Sequence, residues 1–160
     1  MSIKTIFLPK EGSIKRTSDD FHWNYGKEPI NAQDCSFYYS VFPPTGEKSW
    51  VIAGSTGKPV DGNFFAFLIS VPYLDEDLME YTYKLNDGQG LHFGHLHSVP
   101  APPGFEGVTI VDADDAELTL RLDRKAGYVT GEFRALFKSH GYRLLPNGTF
   151  KMKRTDSPES

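Results

Sequence analysis

The sequence predicts an all-β protein, a single-domain antiparallel β-sandwich or β-barrel of about ten short strands. Apolar and polar residues alternate over many short segments, as they do in half-buried strands. Groups of Gly, Pro, Asn and Asp, which are typical of turns, separate these segments. No stretch has the apolar spacing of a long amphipathic helix. Many short strands without helices bury their apolar faces by packing two sheets or by closing a barrel.

The predicted strands follow one another closely along the chain. By residue number they span 3–8, 21–25, 35–42, 49–54, 64–71, 79–85, 91–99, 108–111, 116–123, 128–138 and 142–153, the last with a turn at 146–148. The pair within 116–138 has the clearest alternation and predicts a hairpin whose inward face includes Phe133 and Phe137. Segment 64–71 is apolar on both faces, which predicts a strand between two layers or under a cap.

The chain shows no internal repeat and no change of composition that would divide it. We therefore predict one β domain over residues 1–154. Residues 155–160 are polar and predict a disordered tail. The length of 160 residues fits one domain with a sizeable core.

Composition narrows the class of partner and the cellular location. The net charge of -4 argues against nucleic-acid binding, which needs a basic face. Cys35 is the single cysteine, so an internal disulfide is excluded. The first residues lack the apolar core of a signal peptide, and no apolar run is long enough for a transmembrane segment. We expect a soluble, cytoplasmic protein; the sequence does not indicate an oligomeric state.

The strand at 91–99 holds three of the five histidines and is the main candidate for a functional element. Alternate residues of a strand share a face, so His95 and His97 lie beside Phe93 on an apolar face. Buried imidazoles need partners. One interpretation is therefore a pair of structural histidines, hydrogen-bonded near a barrel mouth or on a sheet surface.

Two functional interpretations use the same pair. In the first, a non-catalytic β domain binds a small ligand, a glycan or a protein through a pocket or face near His95 and His97. Four aromatic residues complete the predicted binding site: Phe93, Tyr81, Tyr83 and Phe105. In the second, a small β-barrel enzyme, an isomerase or cyclase, uses the two histidines as acid–base groups, because imidazole titrates near neutral pH.

A metal-dependent form of the enzyme is a further alternative, with no other cofactor expected. His95 and His97 are metal ligands in this hypothesis, since imidazoles two apart on a strand converge on one divalent ion. Cupin-type barrels have a similar His-x-His pair followed closely by a ligand Glu, whereas Glu106 comes well after His97. The other possible third ligands are His22, His140, Cys35 and the carboxylates of 112–115.

A third hypothesis concerns the aromatic residues near the start of the chain. Exposed aromatic side chains stack on sugars or bind at lipid surfaces, whereas buried ones form the core. Alternation assigns most of this group to the core. Tyr38, Phe42 and Trp50 are the candidates for an exposed patch, and with them the domain would be a lipid-surface binder.

Overall fold

The computed structural model describes residues 20–24 and 29–156 of the chain, which form eleven strands and two single-turn 3-10 helices. The strands are β1 (Asp20–Asn24), β2 (Pro29–Asn31), β3 (Asp34–Phe42), β4 (Glu47–Thr56), β5 (Phe65–Pro72), β6 (Leu78–Lys84), β7 (His92–Val99), β8 (Gly107–Asp112), β9 (Asp115–Asp123), β10 (Tyr128–Leu136) and β11 (Asn147–Lys153). The 3-10 helices are Pro59–Asp61 and Ser139–Gly141. The strand predicted at 3–8 lies outside the described residues.

The strands form two antiparallel sheets that pack face to face. The six-stranded sheet has the order β2-β1-β11-β10-β9-β6, and the five-stranded sheet has the order β3-β4-β5-β7-β8. Over residues 20–24 and 29–156 the sheets are not closed into a barrel, so the sandwich is the correct alternative of the two predicted. The all-β prediction is confirmed.

The core fills the space between the sheets and is rich in aromatic rings. The predicted hairpin at 116–138 is present as β9 and β10, with Phe133 paired to Leu118. Its inward face is buried as predicted, because Phe133 and Phe137 both lie in the main core. β5 is indeed apolar on both faces: Phe67 lies in the main core, whereas Ala66 belongs to a second, smaller cluster.

Close approach between the sheets depends on a glycine of β4. A Cβ at Gly54 would overlap the ring of Phe21, which comes from β1 in the opposite sheet. The absence of a side chain at Gly54 therefore lets this buried ring pack directly on the five-stranded sheet. No helix long and apolar enough to span a membrane occurs in the described part of the chain.

Three segments differ from the prediction. Pro29 was expected in a loop but starts β2, an edge strand, where its missing N–H costs no ladder hydrogen bond. Residues 142–145 form no strand beyond one bridge between Phe137 and Leu144. The predicted tail begins at 155, yet the Thr155 amide donates to the carbonyl of Phe37, and Asp156 accepts a bond from the Tyr39 amide. Residues 157–160 lie outside the described part.

Candidate functional site

His95 lies inside the sandwich, on the face of β7 that alternation assigned to it. It is 2% exposed, and its ring packs against Phe65, Phe67 and Phe137, with centroid distances of 4.4, 5.1 and 5.8 Å. Two of these rings come from β5, which pairs with β7 in the register Phe67 to His95. The surroundings of His95 are therefore almost wholly aromatic.

The hydrogen bonding of His95 defines its protonation. Its Nδ1 lies 2.9 Å from the carbonyl oxygen of Ala66, and a carbonyl only accepts, so Nδ1 carries the proton. Nε2 then holds a lone pair, and no described residue donates to it. Burial lowers the pKa of His95 to about 4, with the nearby His97 acting in the same direction. The imidazole is therefore neutral at pH 7.

His97 is half-buried and is bound at both nitrogens. Nδ1 donates to the carbonyl of Ser98 over 3.0 Å, and Nε2 accepts from the hydroxyl of Tyr142 over 2.6 Å. The rings of His95 and His97 are stacked, with centroids 5.1 Å apart. Both histidines thus have structural partners, as the first interpretation of the pair expected.

Tyr142 reaches His97 from the loop between β10 and β11, which Asp114 holds in place. The carboxylate of Asp114 accepts hydrogen bonds from the amides of Lys138 and Ser139 and from the Ser139 hydroxyl. These bonds lower the pKa of Asp114 to about 2. Sequence analysis missed Tyr142; the Gly141 beside it, which has a φ of +86°, was the local sign of a loop instead of a strand.

The described residues contain no group of three or more His, Cys, Asp or Glu side chains that could hold a metal ion. Among the third ligands considered, His22 lies on the other sheet, bonded to Asp20 and Thr149. Of the ring nitrogens of His95 and His97, Nε2 of His95 is the one whose lone pair no described residue binds, because Tyr142 donates to Nε2 of His97. The divalent-metal and acid–base enzyme hypotheses stay predictions.

The other predicted binding residues do not gather around the histidines. Ring contacts of His95 and His97 within the described chain involve Phe65, Phe67, Phe137 and Tyr142 in addition to each other. Phe93 is part of the main core. Tyr81 and Tyr83 lie on β6, an edge strand of the other sheet, where burial raises the pKa of Tyr83 to about 12. Phe105 is 73% exposed in the loop after β7.

The aromatic patch proposed for a lipid surface is not formed as predicted. Trp50 is buried in the main core, where it contacts Phe37 and Tyr39. Tyr38 is partly buried, and burial raises its pKa. Phe42 is exposed at the end of β3.

Three grooves lie on the outer face of the six-stranded sheet, with volumes of about 650, 370 and 570 Å³. The first and second share Thr119, Glu132 and Thr149, and the second and third share Glu117, Arg134 and Asn147. They therefore form one continuous depression, which we call the polar trough. Neither His95 nor His97 lines any of these grooves.

Antiparallel register arranges the polar side chains of the trough in rows across the strands. The first row consists of Glu80, Arg121, Thr130, Lys151 and Asp20. The second row consists of Thr82, Thr119, Glu132, Thr149 and His22. The strand backbones approach closely beneath these rows, since a Cβ at Gly148 would overlap the backbone carbonyl of His22. The sequence pattern did not indicate a binding site on this face.

Acidic and basic groups in the trough nearly balance. Glu80 and Arg121 form an ion pair of 2.9 Å, as do Glu117 and Arg134. Glu132 lies between two threonines and has no ion-pair partner within the described residues. The trough therefore presents hydroxyl groups, two ion pairs, the carboxylate of Glu132 near its centre, and further charges such as Lys151 for which the described residues provide no ion pair.

Comparisons with protein-family models, with curated proteins and with solved structures found no match to this chain.

Proposed function

We propose that this domain is a non-catalytic binding module that holds an uncharged, hydroxyl-rich ligand, a glycan, in the polar trough. The observation that carries the proposal is the continuity of the three grooves across the six-stranded sheet. A volume of about 650 Å³ in the first groove alone falls in the range of typical ligand sites. The ligand class predicted from the sequence is kept, while the proposed site moves from the histidines to the opposite sheet.

The chemistry of the trough suits a sugar. Sugar hydroxyls both donate and accept hydrogen bonds, and the second row offers threonine hydroxyls on either side of the Glu132 carboxylate. A carboxylate without an ionic partner is a strong acceptor for such hydroxyls. Because acidic and basic groups in the trough nearly balance, a ligand of high net charge would gain little from them, which favours a neutral one.

One residue of the predicted binding set, Tyr81, lies at the β6 edge of the first groove. Its ring, however, lies on the face of β6 that carries Tyr83 and is paired with the buried Leu120, opposite to the polar rows of the trough. Its hydroxyl donates to Glu76 over 2.7 Å. The proposed contacts to the ligand are therefore made by the polar rows and not by the Tyr81 ring.

Native gel electrophoresis in gels containing a neutral polysaccharide tests the proposal. We expect a β-glucan, a xylan or a galactomannan to retard the protein. Glu132→Gln should weaken the retardation roughly tenfold, as for the loss of a charged hydrogen bond, and Thr119→Ala should weaken it several-fold, as for the loss of a neutral one. Glu47→Gln, which alters an exposed carboxylate on β4 outside the trough, is the matched control and should bind as the parent does.

Two outcomes would contradict the proposal. Retardation that persists unchanged in both trough variants would place the ligand elsewhere on the domain. Lack of retardation by all three polymers would argue against a neutral glycan.

A further inference from the structure

Three residues that follow β11 cross from the six-stranded sheet to the edge of the five-stranded sheet. The amide of Arg154 donates to the carbonyl of Gly127, which lies in the turn between β9 and β10. Thr155 and Asp156 then bind along β3, an edge strand of the other sheet. We call residues 154–156 the strap.

The strap occupies backbone groups of β3 that a further strand would use. The Thr155 amide donates to the carbonyl of Phe37 over 2.8 Å, and the Thr155 hydroxyl lies 3.1 Å from both the amide and the carbonyl of Phe37. The carboxylate of Asp156 accepts from the amide of Tyr39 over 2.9 Å. Because alternate residues of an edge strand direct their backbone groups away from the sheet, the N–H and C=O of Val41 point outward as well.

Few side-chain contacts hold the strap in this position. Arg154 bonds to Asp156 over 2.6 Å, and its guanidinium lies 5.0 Å from the centre of the Trp50 ring. Ion pairs and ring contacts of this kind are individually weak when they are partly exposed. The strap is therefore a short segment whose release breaks none of the ladders between the strands.

β3 lacks the features that keep other edges of this sandwich from pairing. With nine residues it is the longest edge strand in the described part of the chain. Residues 35–42 contain no charged residue and no proline, whereas β6 carries Glu80 and Lys84 and β2 begins with Pro29. Long, uncharged edge strands pair readily with further strands. The strap is thus the protection that the sequence of β3 does not provide.

The strand that fits this edge best is β3 of a second copy. Two antiparallel copies that meet at Tyr39 place Phe37 opposite Val41 in both directions. No like charges meet in this arrangement, because residues 36–42 pair only with one another and all are uncharged. Both copies also bring the same set of outward N–H and C=O groups.

We propose that the strap is an autoinhibitory contact, and that its release lets β3 pair with β3 of a second copy. The two five-stranded sheets then join edge to edge into one continuous sheet. While the strap is bound, the groups of Phe37 and Tyr39 are taken and this edge stays closed. The inference is independent of the glycan proposal, because β3 takes no part in the polar trough.

A double variant of the full-length protein, Thr155→Pro with Asp156→Ala, tests the proposal. Proline lacks both the hydroxyl and the amide N–H of threonine, and alanine lacks the carboxylate, so this release variant loses the bonds of the strap to β3. In sedimentation equilibrium its mass should double relative to the parent as the concentration rises. Thr155→Ser with Asp156→Asn keeps the donors and acceptors and should sediment as the parent does. A release variant that also sediments as the parent does would overturn the proposal.

Hydrogen exchange shows whether the association uses this edge. In dilute solution the amides of Phe37 and Tyr39 should exchange roughly tenfold faster in the release variant than in the parent, as for the loss of a hydrogen bond. They should regain protection as the mass doubles. Adding Val41→Pro removes an outward N–H of β3 and should restore the parental mass. Doubling that persists with Val41→Pro, or without renewed protection of these amides, would place the contact elsewhere and overturn the proposal.

Discussion

Phe133 is one of the aromatic side chains that connect the two sheets of the sandwich. Its ring lies 5.7 Å from that of Phe21 in its own sheet and 5.3 Å from that of Phe93 in the other. Phe133→Ala should lower the free energy of unfolding by about 3–5 kcal/mol, since it removes a buried ring and leaves a cavity. Denaturant unfolding measures this change.

The neighbouring residue supplies the control for Phe133. Arg134 lies on the outer face of β10 and is exposed, so Arg134→Ala should cost less than about 1 kcal/mol. A loss below about 1 kcal/mol for Phe133→Ala would mean that β10 is out of register by one residue, which exchanges its two faces.

His95 makes the stability of the domain depend on pH. Burial lowers its pKa to about 4, against an ordinary value of 6.5, so the unfolded chain binds a proton more tightly than the folded one. The contribution of the neutral His95 to the free energy of unfolding is fully present above pH 6.5 and is lost as the pH falls from 6.5 to about 4. The total loss of free energy of unfolding is about 3 kcal/mol.

Unfolding by urea at several pH values tests the role of His95. In His95→Gln, which cannot be protonated, the decline between pH 6.5 and 4 should be smaller than in the parent. His92→Gln, which alters the exposed histidine on the opposite face of β7, should retain the parental decline. Parallel pH profiles for the parent and His95→Gln would refute the assignment.

The sequence indicated which face of β7 holds His95, because the alternation of side chains along a strand determines the face of each residue. It did not indicate that Tyr142 binds His97. That hydrogen bond joins residues 45 apart in the chain and depends on the path of an irregular loop. Local patterns carry no information about such a contact.

The conformation of the loop between β10 and β11 depends on the carboxylate of Asp114. Asp114 binds the amides of Lys138 and Ser139, so Asp114→Ala should speed hydrogen exchange at both amides. Asp115→Ala is the control, because Asp115 binds only the adjacent amide of Ala116 among its described contacts. Exchange by NMR measures the effect. Unchanged protection of Ser139 in Asp114→Ala would show that the loop is held by other contacts.

The strands themselves were largely predictable, because apolar and polar residues alternate along a strand that has one buried face. The hairpin of β3 and β4 has the predicted partners, with Phe37 opposite Ile52. β2 was missed because three residues are too few to show a period and because Pro29 signals a loop. Its place at the edge of a sheet, where a proline is tolerated, is a property of the tertiary structure.

For the whole molecule, the sequence predicted two possible architectures, a sandwich and a barrel, and did not distinguish between them. A sandwich and a barrel require the same alternation, and the difference lies in which edge strands pair. The polar trough was not predictable for a similar reason. Its rows combine β6, β9, β10, β11 and β1, and this combination exists only once the strand order is known.

The pairing of β1 with β11 has a consequence for the way this protein is made. His22 and Thr149, which are bonded across these strands, lie 127 residues apart. During synthesis β1 therefore leaves the ribosome long before β11 has been made. Until then, Phe21 and Trp23 lack the neighbouring strand with which β1 pairs. Contacts of such high sequence separation slow folding and prolong the exposure of apolar segments. We therefore expect these aromatic residues to stay exposed for longer during synthesis than those of a hairpin of adjacent strands.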